Sequence, residues 1–175
     1  NFTDNAAFET TASIDTSVIF GNLEIDRDVT ANDFTVENDL TLTSGTLDCN
    51  SHTVLARANI NGTATQTGSG KIKMTGLNKT ISNVSLSNLE IDSSAVISTL
   101  GGGTLNINSN LQITSGVFNA GTSIVAVDGS VIVNSGAFNI AANDMTIGAD
   151  LQTDATGTFN AAAKTITVNG NISGV

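Results

Sequence analysis

One short pattern, written three times between Asn110 and Ile172, constrains the fold more than any other feature of the chain. Phe118, Phe138 and Phe159 are each followed by apolar residues at plus seven, plus nine and plus thirteen. These are Val125, Val127 and Val131, then Met145, Ile147 and Leu151, then Ile166, Val168 and Ile172. Each Phe has Gly two residues before it (Gly116, Gly136, Gly157) and Asn directly after it (Asn119, Asn139, Asn160). A fourth copy reads upstream, with Leu47 for Phe, Asp48 for Asn, Gly45 in place, and Val54, Ala56 and Ile60 in the three apolar columns. A period of about twenty residues with apolar positions alternating by two is the mark of stacked β coils.

The same column spacing returns as Leu23, Ile25 and Val29, as Phe34, Val36 and Leu40, and as Leu105, Ile107 and Leu111. A longer repeat overlies it: Asn22 to Asp26 returns as Asn88 to Asp92, and Leu40 to Gly45 as Leu111 to Gly116. Hairpins would pair each strand with its sequence neighbour and would not require the same residue class at a fixed register over twenty residues. Coils that stack on their own copies place Phe on Phe and Val on Val, and the Asp48, Asn119, Asn139, Asn160 row is set to form a side-chain ladder at a corner. Glycine before each Phe fits a tight turn. The absence of proline fits too, because each interior strand must donate its N–H groups. The expected fold is all-β: a right-handed parallel β-helix, or solenoid, of about 20-residue coils, with handedness taken from the rule for parallel crossovers. Residues 1–17 carry no repeat and are assigned to an N-terminal arm or cap anchored by Phe2 and Phe8, leaving 18–175 as the β-helix.

Composition narrows the function. The 175 residues carry a net charge of −10 and include no Trp or Tyr. Binding nucleic acid or an anionic membrane surface requires clustered Lys and Arg, so neither is an expected partner. No apolar run is long enough for membrane insertion. The chain opens at Asn1, as a secreted chain does once its leader is removed, or as an excised piece does. The single cysteine, Cys49, follows Leu47 by two residues and is placed inward as a small core residue.

Chemistry is sparse. His52 is the only histidine, which leaves a His-based metal site or a Ser–His–Asp arrangement without support, and it is placed as a solvated corner residue. Acids are densest at Glu24, Asp26, Asp28, Asp33, Glu37 and Asp39, around Arg27. They alternate with core residues and point to solvent, and no calcium-binding glycine–aspartate repeat accompanies them. The Thr-x-Thr pairs at Thr41/Thr43, Thr63/Thr65 and Thr165/Thr167 form no unbroken row of the kind an ice lattice would demand. The Asn-x-Ser/Thr triplets at Asn1, Asn61, Asn78, Asn83 and Asn171 are as many as this composition yields by chance. No catalytic, metal or cofactor-binding residue is assigned.

The segments Leu40 to Leu47, Asn78 to Ser82, Ser87 to Ile91 and Thr165 to Ile172 resemble a large group of bacterial and archaeal surface proteins built from parallel β-helical "β-strand repeats". These are akin to autotransporter passengers and filamentous-haemagglutinin-like adhesins. The resemblance spans most of 18–175 and implies an extracellular parallel β-helix without a catalytic residue. The sequence stops at Ser173-Gly174-Val175, after a core column and with no polar cap, so the expectation is an end covered by another copy or cut from a longer adhesin. The leading expectation is a non-enzymatic extracellular structural protein that self-assembles head to tail with other copies of itself, the arm adding as a strand to its neighbour. A glycan- or host-binding adhesin fragment and a polysaccharide-lyase-like enzyme are the alternatives.

Overall fold

The computed structural model describes residues 12–14, 18–99 and 102–174. They form an all-β solenoid of parallel strands, about eight turns of roughly 20 residues. Each turn visits three faces. Face A is a nine-stranded sheet from Ala12–Ile14 to Ile166–Val168. Face B runs from Val18–Phe20 to Ile172–Ser173, and face C from Leu23–Ile25 to Thr158–Asn160. Faces B and C are one hydrogen-bonded sheet, because Leu89–Thr99, Leu111–Asn119 and Val131–Asn139 turn the corner between them unbroken.

The local rule is simple. Most strands are three or four residues long, and side chains alternate inward and outward. Leu23–Ile25, Phe34–Val36 and Leu40–Leu42 each send two apolar residues inside and one outside. Stacking the coils turns these pairs into continuous columns. The longest runs down face B through Val18, Phe34, Val54, Ile72, Leu89, Leu111, Val131, Leu151 and Ile172. Phe118, Phe138 and Phe159 register on one another on face C; the first two rings stack at 5.2 Å and the last two meet edge-on at 5.5 Å. On face A, Val125 pairs with Leu105, Val127 with Ile147, Met145 with Ile166, and Ile147 with Val168. Each such residue taken from water contributes roughly 1.5–3 kcal/mol. Among the described residues, no buried side-chain nitrogen or oxygen lacks a partner.

Two expectations need correction. Leu47 does not lie in the Phe column: it sits on face A, between Val29 and Gln66, while Val54 and Ala56 belong to face B and Ile60 to face C. The cause is geometric. Three faces of similar width divide a coil of about twenty residues into thirds, so a step of about seven leads from any face to the next. The spacing seen after Phe118 therefore recurs in all three phases. Leu23, Ile25 and Val29 start it on face C, Phe34, Val36 and Leu40 on face B, and Leu105, Ile107 and Leu111 on face A. The longer repeat fails for the same reason, since Asn22–Asp26 lies along face C and its echo Asn88–Asp92 along face B.

The second correction concerns the start of the solenoid. Ala12–Ile14, inside the segment assigned to the arm, is a face A strand paired with Val29–Ala31, and Ile14 packs against the core. The proposed arm residues Phe2 and Phe8 lie outside the described residues. The early coils are short: register partners on face A are 17 residues apart at Ala12 and Val29, 18 at Val29 and Leu47, and 19 at Leu47 and Gln66. They lengthen to 20 at Thr65 and Ser85 and 21 at Ser85 and Asn106. A template of fixed length cut from residues 110–172 passes over such coils.

The glycines before Phe serve two purposes. Gly116 has φ +79°, a left-handed turn residue. Gly157 has no such φ, yet a Cβ there would stand 2.0 Å from Val133 O on the coil below, so it is required by coil-to-coil approach.

Candidate functional site

The acidic residues singled out in the sequence do not converge. Glu24 accepts from Thr43 Oγ1 at 2.7 Å, Asp26 from Arg27, Glu37 from Arg57 at 2.7 Å, and Asp39 from Asn59. Among the described residues, no three His, Cys, Asp or Glu side chains gather as a metal site would require. His52 Nδ1 lies 3.5 Å from Asp33 Oδ1. The Thr53 N–H donates to that oxygen at 2.7 Å and, with help from His52, holds the Asp33 carboxyl below its ordinary range.

Cys49 is fully buried beside Gln66, and burial pushes its thiol up to about 12. The thiolate is the reactive form. Native protein is therefore expected to leave a disulfide-exchange reagent unreacted at pH 8, whereas denatured protein titrates one thiol per chain. Rapid native labelling would contradict this placement.

Charge does converge at a place the sequence reading passed over. On face B, Lys71 and Lys73 of strand Lys71–Met74 point outward beside Glu90 and Asp92 of strand Leu89–Thr99. Lys73 Nζ lies 3.0 Å from Glu90 Oε1 and 2.6 Å from Asp92 Oδ2, and Lys71 Nζ also bonds Glu90. Thr114 and Ser115 on the next coil donate to Glu90 at 3.0 Å and to Asp92 at 2.8 Å. Glu90 is buried although it belongs to the outer row of its strand. The signal was available as Lys-x-Lys seventeen to nineteen residues ahead of Glu-x-Asp, but only the short local register, Lys73 opposite Glu90, brings the two together.

The electrostatics of this group are those of a clamp. Burial raises the Glu90 carboxyl, but hydrogen bonds from Lys71, Lys73 and Thr114 outweigh it and leave the carboxyl below its ordinary 4.5. Lys73 and then Ser115 lower Asp92 from 3.8, and Asp92 followed by Glu90 raises Lys73 from 10.5. A carboxyl depressed in the folded state stabilises above its unfolded pKa, and that contribution is lost as pH falls through the folded value. Stability is thus expected to decline on acidification below about pH 4.5, and Glu90→Gln is expected to flatten that decline in urea unfolding measured from pH 6 to pH 3. An unchanged slope would remove Glu90 from the account.

Two polar rows run along the corners. The row along face C comprises Asn22, Asp39, Asn59, Thr80, Ser98, Asn119, Asn139 and Asn160. In it Asp39 N–H donates to Asn22 Oδ1 at 3.2 Å, Thr80 N–H to Asn59 Oδ1 at 3.0 Å, and the amides of Asn139 and Asn160 to Asn119 and Asn139 at 2.8 and 2.7 Å. The expected Asn119, Asn139, Asn160 ladder is therefore the last part of a longer row. Asp48 is not in it; that carboxylate accepts the N–H of Asn50 at 2.8 Å. The row leading into face B links Asn88, Asn110, Ser130, Asp150 and Asn171 through backbone N–H donors at 3.2, 2.9, 3.3 and 2.7 Å. In both rows the side-chain acceptor lies on one coil and the donor on the next, so the rows have a direction.

They reach Asn160 and Asn171 in the last described coil. Among the described residues nothing donates to Asn160 Oδ1 or Asn171 Oδ1. In the same coil Phe159, Ile166 and Val168 are only half-buried and Ile172 is 73% exposed, while Phe138, Ile147 and Val131 one or two coils earlier are fully buried. No protein-family model, curated protein or solved structure matches the chain.

Proposed function

We propose that this chain is a non-enzymatic structural subunit of an extracellular or cell-surface filament of the β-strand-repeat adhesin kind, assembled head to tail with other copies of the same chain. The observation that supports the reading is the coil-to-coil register: strands lie in parallel on their counterparts one coil away, with like side chains in continuous columns. Side chains already in register, with polar rows at the corners, are the form of surface on which a further coil adds at little conformational loss.

The test is the state of association. Purified chain is expected to sediment as species larger than one chain, growing with concentration, and to appear by negative stain as rods longer than a single solenoid. Protein that remains one chain across the whole range, with no rods, overturns the reading. A polysaccharide-cleaving alternative would place its acid and base at Lys71, Lys73, Glu90 and Asp92. Those groups neutralise one another, and Glu90 is closed beneath both amines, which favours the clamp over a free general base.

A further inference from the structure

Composition accounts for the number of Asn-x-Ser/Thr triplets, but the fold sorts them. Such a triplet accepts an oligosaccharide where the Asn carboxamide and the hydroxyl two residues on can be presented together at a surface. The triplet at Asn1 lies outside the described residues. At Asn61 both groups are tied to the preceding coil: Nδ2 donates to Thr41 Oγ1 at 3.2 Å, and Thr63 Oγ1 to Thr43 O at 3.4 Å. Asn83 lays its carboxamide against Gly103 of the next coil, in the space a Cβ there would fill, and Ser85 Oγ accepts from Asn108 at 3.2 Å. Asn171 is tied to Asp150 Oδ1 twice, by its N–H at 2.7 Å and by Nδ2 at 3.3 Å.

The triplet at Asn78 is placed differently. Asn78 is exposed, with φ +54°, in the bend between the face B strand Lys71–Met74 and the face C strand Lys79–Ser82. Its neighbour Leu77 is 56% exposed, so the bend stands clear of the coils on either side. Among the described residues no hydrogen bond holds the Asn78 carboxamide. Thr80 completes the triplet. Its Oγ1 donates to Asn59 Oδ1 at 3.1 Å, and its N–H donates to the same oxygen at 3.0 Å. Asn59 therefore keeps a donor when the hydroxyl turns outward, and the triplet is freed at the cost of a single half-buried hydrogen bond. Resting on the extracellular reading above, we infer that Asn78 is an N-glycosylation site that takes its oligosaccharide from a lipid-pyrophosphate carrier. In the transfer Asn78 Nδ2 bonds to the anomeric carbon, the bond from that carbon to the pyrophosphate oxygen breaks, and the lipid pyrophosphate leaves with the electron pair. Nδ2 gives up one proton to a base of the transferase. The product is a bulky, solvated cover on the corner between faces B and C. It touches neither face A nor the inward columns, so the coil-to-coil register stays as it is.

Transfer to the folded chain tests this site. The full chain, shown by circular dichroism to be folded, is incubated with a lipid-pyrophosphate-linked oligosaccharide and an oligosaccharyltransferase specific for Asn-x-Ser/Thr. Mass spectrometry of its peptides then locates the sugar. The expected result is an oligosaccharide at Asn78, with Asn61, Asn83 and Asn171 unmodified. Asn78→Gln is expected to abolish that gain in mass, and so is Thr80→Val, which keeps a β-branched residue in the strand and removes the hydroxyl. No transfer to Asn78, or transfer to Asn61, Asn83 or Asn171 as readily as to Asn78, would overturn the site. Sedimentation keeps this inference apart from the filament reading. A chain that assembles yet takes no sugar overturns the site and leaves the filament standing. A chain that takes sugar at Asn78 yet sediments as single chains overturns the filament and leaves the site standing.

Discussion

Phe138→Ala is expected to lower the unfolding free energy by about 3–5 kcal/mol, the range for removing a large buried aromatic without collapse of its site. Phe138 is fully buried between Phe118, stacked at 5.2 Å, and Phe159, edge-on at 5.5 Å. Collapse is hindered because the backbones above and below are fixed by register: Leu111 to Asn119 is bonded almost residue for residue to Val131 to Asn139, and Ala137 to Asn139 to Thr158 to Asn160. The cavity would stay open along the rod. Phe159→Ala is the informative companion, because its ring is only half-buried and the lost transfer energy is correspondingly smaller. Urea unfolding followed by circular dichroism measures both. If Phe138→Ala cost less than about 1 kcal/mol, or no more than Phe159→Ala, the column would not be the close-packed element described.

The architecture was legible because stacking writes itself into sequence. Where three coils of nearly equal length follow one another, as from Phe118 to Ile172, identical columns require similar residues at equal spacing. The phase was not legible where the coils shorten. Leu47 satisfies the same local spacing as Phe118, and nothing in a window of fourteen residues distinguishes a face A start from a face C start. Only the summed coil lengths, 18 residues from Val29 to Leu47 and 19 to Gln66, decide it. The Lys71, Lys73, Glu90, Asp92 clamp was hidden for the same reason. It depends on Lys73 and Glu90 being 17 apart and side by side, a short step among longer ones. The polar rows were half visible: the Asn after Phe marks the last part of the row along face C. Upstream members such as Asp39 and Thr80 share its geometry without sharing its residue type. An acceptor or donor at the corner is all the position asks.

The position that asks most narrowly is Gly62. Its φ is +125°, a conformation that L side chains rarely adopt, and a Cβ there would stand 2.0 Å from Leu42 O and 2.5 Å from Leu42 C on the preceding coil. The Leu42 carbonyl cannot retreat freely, because it accepts the N–H groups of both Thr63 and Ala64, at 2.8 and 2.9 Å. Gly62→Ala therefore combines a strained backbone, about 1–3 kcal/mol, with forced separation of two coils, about 1–3 kcal/mol more. A loss of about 3 kcal/mol or more is expected, a large share of what a domain of this size has. Gly21→Ala is the matched control: it has no positive φ, the nearest atom to its added Cβ is Asn38 Nδ2 at 3.8 Å, and its cost should be within about 0.5 kcal/mol of zero. Unfolding midpoints of the two variants separate the explanations. If both fall alike, the loss is the general intolerance of a thin rod to side chains at its corners; if Gly62→Ala alone falls, the contact between successive backbones sets the coil spacing there.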